Sequence, residues 1–334
     1  MLGFGRRAFL LAGAGAFLGP KSGVLKIAET SGAPAAVAGT GWRRKSDWRF
    51  GTAAGNNIRQ FTDLLYAGWY MNNPTPTFLN DECQTYNTRD LTNNNLNFQP
   101  FSDHCDIVAM WNGGRIESAK GNGSISSLSV NYDVPAINAI GYYELTCKVP
   151  SLSGAWPVWW TVGHQLGSNH VHTWGPEIDI LEFNDTKTDT AVNTLHGGRT
   201  PSYCFMRKGG NPPGKPENPH TTYEGDHPWN MGNFVYKPGF DFAQAYHRFG
   251  AKIDSNYHIS LWVDDVKVGT FEAEQYCDDE GHPVGVLLVV SLALGTHNPD
   301  PVASIHTADF GGINNRSPSN KFRFSLKNIQ IWGL

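Results

Sequence analysis

The chain is short of positive charge, of cysteine and of helical periodicity, and each shortage removes a class of function. Its 26 Lys and Arg stand against 30 Asp and Glu among 334 residues, for a net charge of −4 with His neutral. That balance offers no basic footprint for nucleic acid or an anionic membrane surface, so neither is expected as a partner. The five cysteines, Cys83, Cys105, Cys147, Cys204 and Cys277, include no C-x-x-C pair, which argues against a zinc or dithiol redox motif. Their odd number leaves at least one thiol unpaired in a monomer, and Cys147, inside an apparent strand, reads as a buried free thiol. No amphipathic helix longer than about three turns can be drawn, and no repeat period is visible.

What is there instead is a series of short β-rich runs separated by turn residues, with 37 Gly and 20 Pro among them. The clearest runs are 140–149, 158–162, 177–183, 258–263, 286–294 and 322–332. Many short strands with Gly, Asn and Pro between them predict an all-β fold, a sandwich of two antiparallel sheets. A hydrophobic content of 40% and an aromatic content of 12% suit one packed domain, set at 61–334. Residues 39–60, with Trp42-Arg43-Arg44-Lys45, read as a mobile lead-in segment. The stretch 203–239, with Pro212-Pro213, Pro216, Pro219 and Pro228, is long for a connection; it either walls one end of a cleft or decorates the surface.

The N-terminus reads as a targeting segment. Arg6-Arg7-Ala8-Phe9-Leu10 carries a twin arginine and the apolar residues that follow it in a Tat signal. The apolar stretch from Ala8 to Leu18 is too short for a bilayer, which takes roughly 20 residues. Ala36-Val37-Ala38 offers an A-x-A cleavage site, so 1–38 is set as the signal. The expectation is passage through the Tat translocase to the periplasm or beyond, and a monomeric mature form without a membrane anchor. Export permits one or two disulfides.

The chemistry concentrates in Glu177-Ile178-Asp179-Ile180-Leu181-Glu182. On a helix, Glu177 and Glu182 would point about 140° apart. On a regular strand, Glu177 and Asp179 share a face and Glu182 falls on the other. A single β-bulge between Asp179 and Glu182 restores the parity, lining three acids on one face while Ile178 and a neighbouring Ile or Leu anchor the other. Two glutamates projecting into a cleft are what a retaining glycosidase needs, as nucleophile and acid/base about 5–5.5 Å apart. The flanks are rich in aromatics: Gly154-Ala155-Trp156-Pro157-Val158-Trp159-Trp160 before the acids, Trp174-Gly175-Pro176 beside them, and Asn193-Thr194-Leu195-His196-Gly197-Gly198 after. Trp156 and Trp160 share strand parity, whereas Trp159 faces the other way, into a core. His164, His170 and His172 have no acid or Cys partner at ligand spacing, and neither a metal site nor a cofactor is expected.

These residues resemble glycoside hydrolase family sixteen, the group of laminarinases, agarases, carrageenases and lichenases. Glu177 to Glu182 is similar to the E-[ILV]-D-[IV]-[ILM]-E signature of its bulged, laminarinase-like branch, and Gly154 to Trp160 to its G-x-W-P-x-x-W segment. Gly141-Tyr142-Tyr143-Glu144-Leu145, Asn80-Asp81-Glu82-Cys83-Gln84-Thr85-Tyr86, Tyr246-His247-Arg248-Phe249 and Leu261-Trp262-Val263-Asp264-Asp265 resemble further segments in the family's order. So does Leu287 to Gly295, with Ser291 where Asn is usual.

The resemblance implies a concanavalin-like jelly roll with a concave substrate cleft and a retaining endo-hydrolase of a β-linked polysaccharide, β-1,3-glucan foremost. Agar, carrageenan or a bacterial exopolysaccharide as substrate, a transglycosylase, and a non-catalytic carbohydrate-binding sandwich remain open. It also implies roles. Glu177 is the nucleophile, Glu182 the acid/base, and Asp179 orders which acid ionises. Trp156, Trp160 and Trp174 stack on sugar rings, and His196 lies near the scissile bond. Asn80 and Gln84 bind sugar hydroxyls or cap turns. Glu82 and Glu144 match positions without a catalytic role. Many members hold a structural calcium through an Asp of the final strand; the matching position here is Lys327, which cannot ligate calcium.

Overall fold

The computed structural model describes residues 32–51, 84–86, 98–112, 115–118, 120–123, 138–151, 155–165, 176–183, 188–196, 214–225, 232–277, 283–294 and 322–334. The strands among them, in chain order, are β1 (Arg43–Arg49), β2 (Gln84–Tyr86), β3 (Phe98–Pro100), β4 (Cys105–Asn112), β5 (Arg115–Ser118), β6 (Lys120–Gly123), β7 (Gly141–Lys148), β8 (Ala155–Gln165) and β9 (Glu177–Glu182). They continue as β10 (Ala191–His196), β11 (Gly214–Pro216), β12 (Thr221–Glu224), β13 (Gly232–Tyr236), β14 (His247–Ile253), β15 (Ile259–Val263), β16 (Val266–Phe271), β17 (Val284–Leu294) and β18 (Phe322–Gly333). The helical content among the described residues is one 3₁₀ turn, Ala35–Val37.

The strands form two sheets. The eleven-stranded sheet runs β11-β16-β15-β14-β7-β18-β4-β5-β2, with β1 on β18 and β3 on β4; the seven-stranded sheet runs β12-β13-β10-β9-β8-β17-β6. Every ladder is antiparallel except the short β2–β5 pair. One core lies between the two sheets. It takes Ile107, Leu145, Phe249, Leu261 and Phe324 from the larger sheet and Trp159, Ile178, Leu181, Leu195 and Val290 from the smaller. Alternation along the strands places these side chains inward and their neighbours outward, as sandwich packing requires. The two-sheet β architecture read from the sequence is therefore the one observed. Cys105 and Cys147 are buried free thiols, in keeping with the reading of Cys147; Cys277 is buried as well, and Cys83 and Cys204 lie outside the described residues.

The β15–β16 hairpin shows how local chemistry places outer-face charges. Its two turn residues, Asp264 and Asp265, have φ of 49° and 65°, as a two-residue primed turn demands. Each carboxylate is then used. Asp264 accepts the Arg248 backbone N–H at 2.8 Å and pairs with His247 Nδ1 at 2.6 Å. Asp265 pairs with the Arg248 guanidinium and accepts the Ala35 backbone N–H at 2.9 Å.

Two boundary readings change. The lead-in set at 39–60 is in part structural: β1 pairs along β18 from Arg43↔Gly333 to Arg49↔Asn328. Just before it, Ala36 and Val37, 2% and 4% exposed, pack on Tyr142 beside Trp42, Trp262 and Trp332. The sandwich thus begins well before residue 61, because apolar side chains on the larger sheet's outer face need a cover. The proline-rich stretch 203–239 is also more than a loop. Its described parts add an edge strand to the larger sheet through β11 on β16, and extend the smaller sheet through β13 on β10 and β12 on β13.

Candidate active site

β9 is bulged where parity demands it. Against β8, Val158 pairs with Glu182 and Trp159 with Leu181, but Trp160 pairs with Asp179, so Ile180 is the extra residue. Against β10, Val192 pairs with Glu182 and Thr194 with Asp179, so Ile180 and Leu181 together oppose Asn193. Ile178, Ile180 and Leu181 all lie in the core at 0% exposure. Two consecutive core residues shift the alternation by one, and Glu177, Asp179 and Glu182 come out on the opposite face together. Asn193, itself 0% exposed, donates its side-chain amide to the Ile180 carbonyl and so occupies the bulge's irregular backbone.

The three acids differ in surroundings. Glu177 and Asp179 are 7% and 4% exposed, and Glu182 is partly exposed. His196, directly opposite Glu177 in the ladder, brings Nε2 to 3.0 Å from Asp179 Oδ2. Glu182 Oε1 accepts the Trp156 indole N–H at 3.0 Å, and Oε2 accepts the Thr194 hydroxyl at 3.3 Å. Burial first, and the Asp179 charge second, push the Glu182 carboxyl up to about 7; His196 and the two hydrogen bonds oppose that rise. The face thus holds one carboxyl that keeps a proton near neutrality beside two others.

The sequence-derived site residues fare as follows. Glu177, Asp179, Glu182, His196, Trp156 and Trp160 meet on one face of β8, β9 and β10. Trp159 points into the core at 0% exposure. Trp156 and Trp160 are each only 5% exposed, so they offer little ring face to a sugar; Trp156 acts through its N–H, and Trp160 donates to Ser291 Oγ at 3.4 Å. Gln84 opens β2, at one end of the larger sheet, whereas the acids stand on the smaller sheet. Asn80, Trp174, His170 and His172 lie outside the described residues. Lys327 places its ammonium 4.9 Å from the Tyr246 ring centroid.

Thr194 and Asn193 were not singled out from the sequence. A signal for Thr194 was present, since it lies two residues before His196 on a strand and therefore on the same face. Asn193 gave none, because its partner is a carbonyl freed by a bulge on another strand. One ligand atom each from Glu177, Asp179 and His196 lie within 4.8 Å of one another. That spacing fits a small divalent cation, but it is equally that of the His–Asp pair and its neighbouring acid.

No family model matches the chain. A stretch of 62 residues is 32% identical to the endo-1,3-1,4-beta-glycanase EglC of Rhizobium meliloti, covering 19% of this chain and 12% of that protein. The match therefore spans a small part of its relative. Among solved structures, LamAcat from Zobellia galactanivorans superposes with a TM-score of 0.50 at 19% identity, over 78% of this chain and 87% of that one. A glycoside hydrolase family 16 endo-glucanase from Bacteroides ovatus gives 0.52 at 16%, over 77% and 91%. The laminarinase from Rhodothermus marinus gives 0.50 at 16%, over 78% and 88%. At these identities the likeness is one of fold, and the fold of this chain is the jelly-roll β-sandwich those structures share.

Proposed function

We propose that the protein is a retaining endo-glycosidase of a β-linked polysaccharide, with β-1,3-glucan the leading substrate. The observation that carries the reading is the β9 bulge, which turns Glu177, Asp179 and Glu182 onto one face; the Glu182 carboxyl, pushed up to about 7 by burial and by Asp179, is then about half protonated at neutral pH. Glu177 attacks the anomeric carbon, and Glu182 protonates the leaving oxygen and then takes a proton from the incoming water. Asp179, paired with His196, raises the Glu182 carboxyl and so favours its protonated form. The names of the structural neighbours, laminarinase and endo-glucanase, support the substrate class. A binding-only sandwich has no use for a bulge that aligns three acids. The test is a screen of purified protein on laminarin, lichenan, agarose, carrageenan and the host's own exopolysaccharide, with product sizes compared with and without added acceptor. Cleavage of laminarin or lichenan to oligosaccharides is expected. Binding without cleavage of any of the five would end the enzymatic reading, and acceptor-lengthened products would make it a transglycosylase.

Export through the Tat translocase to the periplasm or beyond is proposed from Arg6-Arg7. Among the described residues no helix is long and apolar enough to cross a membrane. Because Ala36 and Val37 are packed into the fold, we place the leader's cut upstream of Pro34 rather than after Ala38. Mass measurement of the exported form decides this: an N-terminus at Gly39 would refute it. Arg6→Lys with Arg7→Lys should leave folded, active protein in the cytoplasm.

A further inference from the structure

Glu182 is gripped from both sides, by groups of different kinds. In the ladders, Glu182 faces Val158 on β8 and Val192 on β10. Its hydrogen-bond partners sit two residues along each of those strands, Trp156 on one and Thr194 on the other. Such diagonal neighbours lie within side-chain reach on one sheet face. Thr194 is itself opposite Asp179, whereas Trp156 lies on the side away from Asp179. Oε2, bonded to Thr194, is therefore the oxygen nearer the second acid.

The donors are not equivalent. An indole N–H only donates, whereas a threonine hydroxyl can donate or accept. In a carboxylic acid the carbonyl oxygen is the better acceptor and the hydroxyl oxygen the donor. Oε1, facing an obligate donor, takes the carbonyl role. Oε2 faces a group that can reverse.

We infer that Glu182 carries its transferable proton on Oε2, and that Thr194 is the positioning residue that holds it there. The inference rests on the glycosidase reading above for its kinetic consequence, though not for the proton's position. In the free protein, Oε2–H donates to Thr194 Oγ1. When glycan binds, the same proton passes to the glycosidic oxygen as the bond from the anomeric carbon breaks. That bond's electron pair goes to the leaving oxygen, and a Glu177 oxygen forms the new bond to carbon. Glu182 is left as a carboxylate, and the Thr194 hydroxyl turns to donate to Oε2. Placing the proton on the oxygen nearer Asp179 also turns the electron-rich carbonyl oxygen of the neutral acid away from that second carboxyl. The indole on Oε1 keeps the carboxyl from rotating the proton away.

Two measurements test this. The first compares Thr194→Val with Thr194→Ser on the best glycan substrate and on an aryl glycoside whose leaving group needs no proton. Thr194→Val should lower kcat on the glycan on the order of tenfold, a fraction of the 10²–10⁴ that general acid catalysis supplies. It should leave formation of the glycosyl-enzyme from the aryl glycoside within about twofold, and Thr194→Ser should restore the glycan rate. Equal losses on both substrates would make Thr194 a merely structural residue, and no loss on either would also overturn the proposal. The second is neutron diffraction of deuterated wild-type protein at pH 6, which needs no activity. Deuterium on Oε2, with Thr194 accepting, is expected; deuterium on Oε1 sinks the assignment. If the wild type cleaves no glycan but deuterium sits on Oε2, the glycosidase reading fails while the proton's placement stands.

Discussion

Each sheet holds a glutamate whose carboxyl is pushed up to about 7, Glu144 in β7 and Glu182 in β9. Burial is the leading cause in both, but the neighbours differ in sign. Glu144 is 3% exposed and accepts the Tyr142 phenol at 2.7 Å. Its carboxylate is stabilised by Arg248, which is itself paired with Asp265. That network lies on the outer face of the larger sheet, where the turn at Ala35–Val37 packs on Tyr142. Glu182 is partly exposed, and the charge that moves it most is another acid, Asp179. A raised carboxyl pKa marks burial in general. What sets Glu182, the proposed reacting acid, apart from Glu144 is access, and a second carboxylate where the closed network has a cation.

The largest test of that contrast is activity. Glu182→Gln should cut turnover of the best glycan by about 10²–10⁴-fold, while Glu144→Gln should leave kcat within about twofold at pH 6. An inactive Glu144→Gln of normal thermal stability would erase the distinction.

A second test removes the cation. Arg248→Met leaves the buried Glu144 without its cation, while Asp265 is exposed; because Glu144 then takes up a proton, the cost should be on the order of 1–2 kcal/mol at pH 8. Urea unfolding at pH 8 and at pH 5 reads this. The cost should be smaller at pH 5, where Glu144 is protonated, and activity per folded molecule should persist.

The third test uses the sign of the shift. Glu144 has a folded-state value of about 7 against a model value of 4.5, so the folded protein binds that proton more tightly than the unfolded chain. Its contribution is fully present below about 4.5 and is lost as pH rises through about 7, on the order of 3 kcal/mol in all. Glu144→Gln, which stays neutral and keeps an oxygen for Tyr142, should flatten the fall in Tm across that window. An unchanged slope would mean that Arg248 compensates the charge fully.

The smallest effect is a displaced pH limb. His196 lowers the Glu182 carboxyl through its charge, so His196→Asn should move the basic limb of the kcat/KM profile upward. A downward move would mean that Asp179, released from its partner, no longer acts on Glu182.

Much of the candidate site was legible because strand parity is a local rule. The order Ile178-Asp179-Ile180-Leu181-Glu182 puts two apolar residues side by side between acids. On a strand that must bury one face, this doublet requires a bulge and turns Glu182 outward. The same parity separated Trp159 from Trp156 and Trp160 before any neighbour was known. Composition, turn residues and short alternating runs sufficed for an all-β sandwich, since each depends on neighbours two to five residues away.

Tertiary structure decided whatever depends on register between distant strands. Trp156 looked like a sugar platform from its residue type; only the β8–β9 register puts its N–H on Glu182, 26 residues on. Thr194 needed the β9–β10 register to become the second hydrogen-bond donor to Glu182. The segment 34–42 looked like leader and tether because most of its residues are small and it carries an A-x-A site. It joins the fold through Ala35 and Asp265, 230 positions apart, a contact that no local pattern encodes. The sequence by itself determined which face each acid takes, because that follows from a period of two. The packed sheets decided which partners each acid meets, because hydrogen bonds and burial are settled where strands far apart in the chain come together.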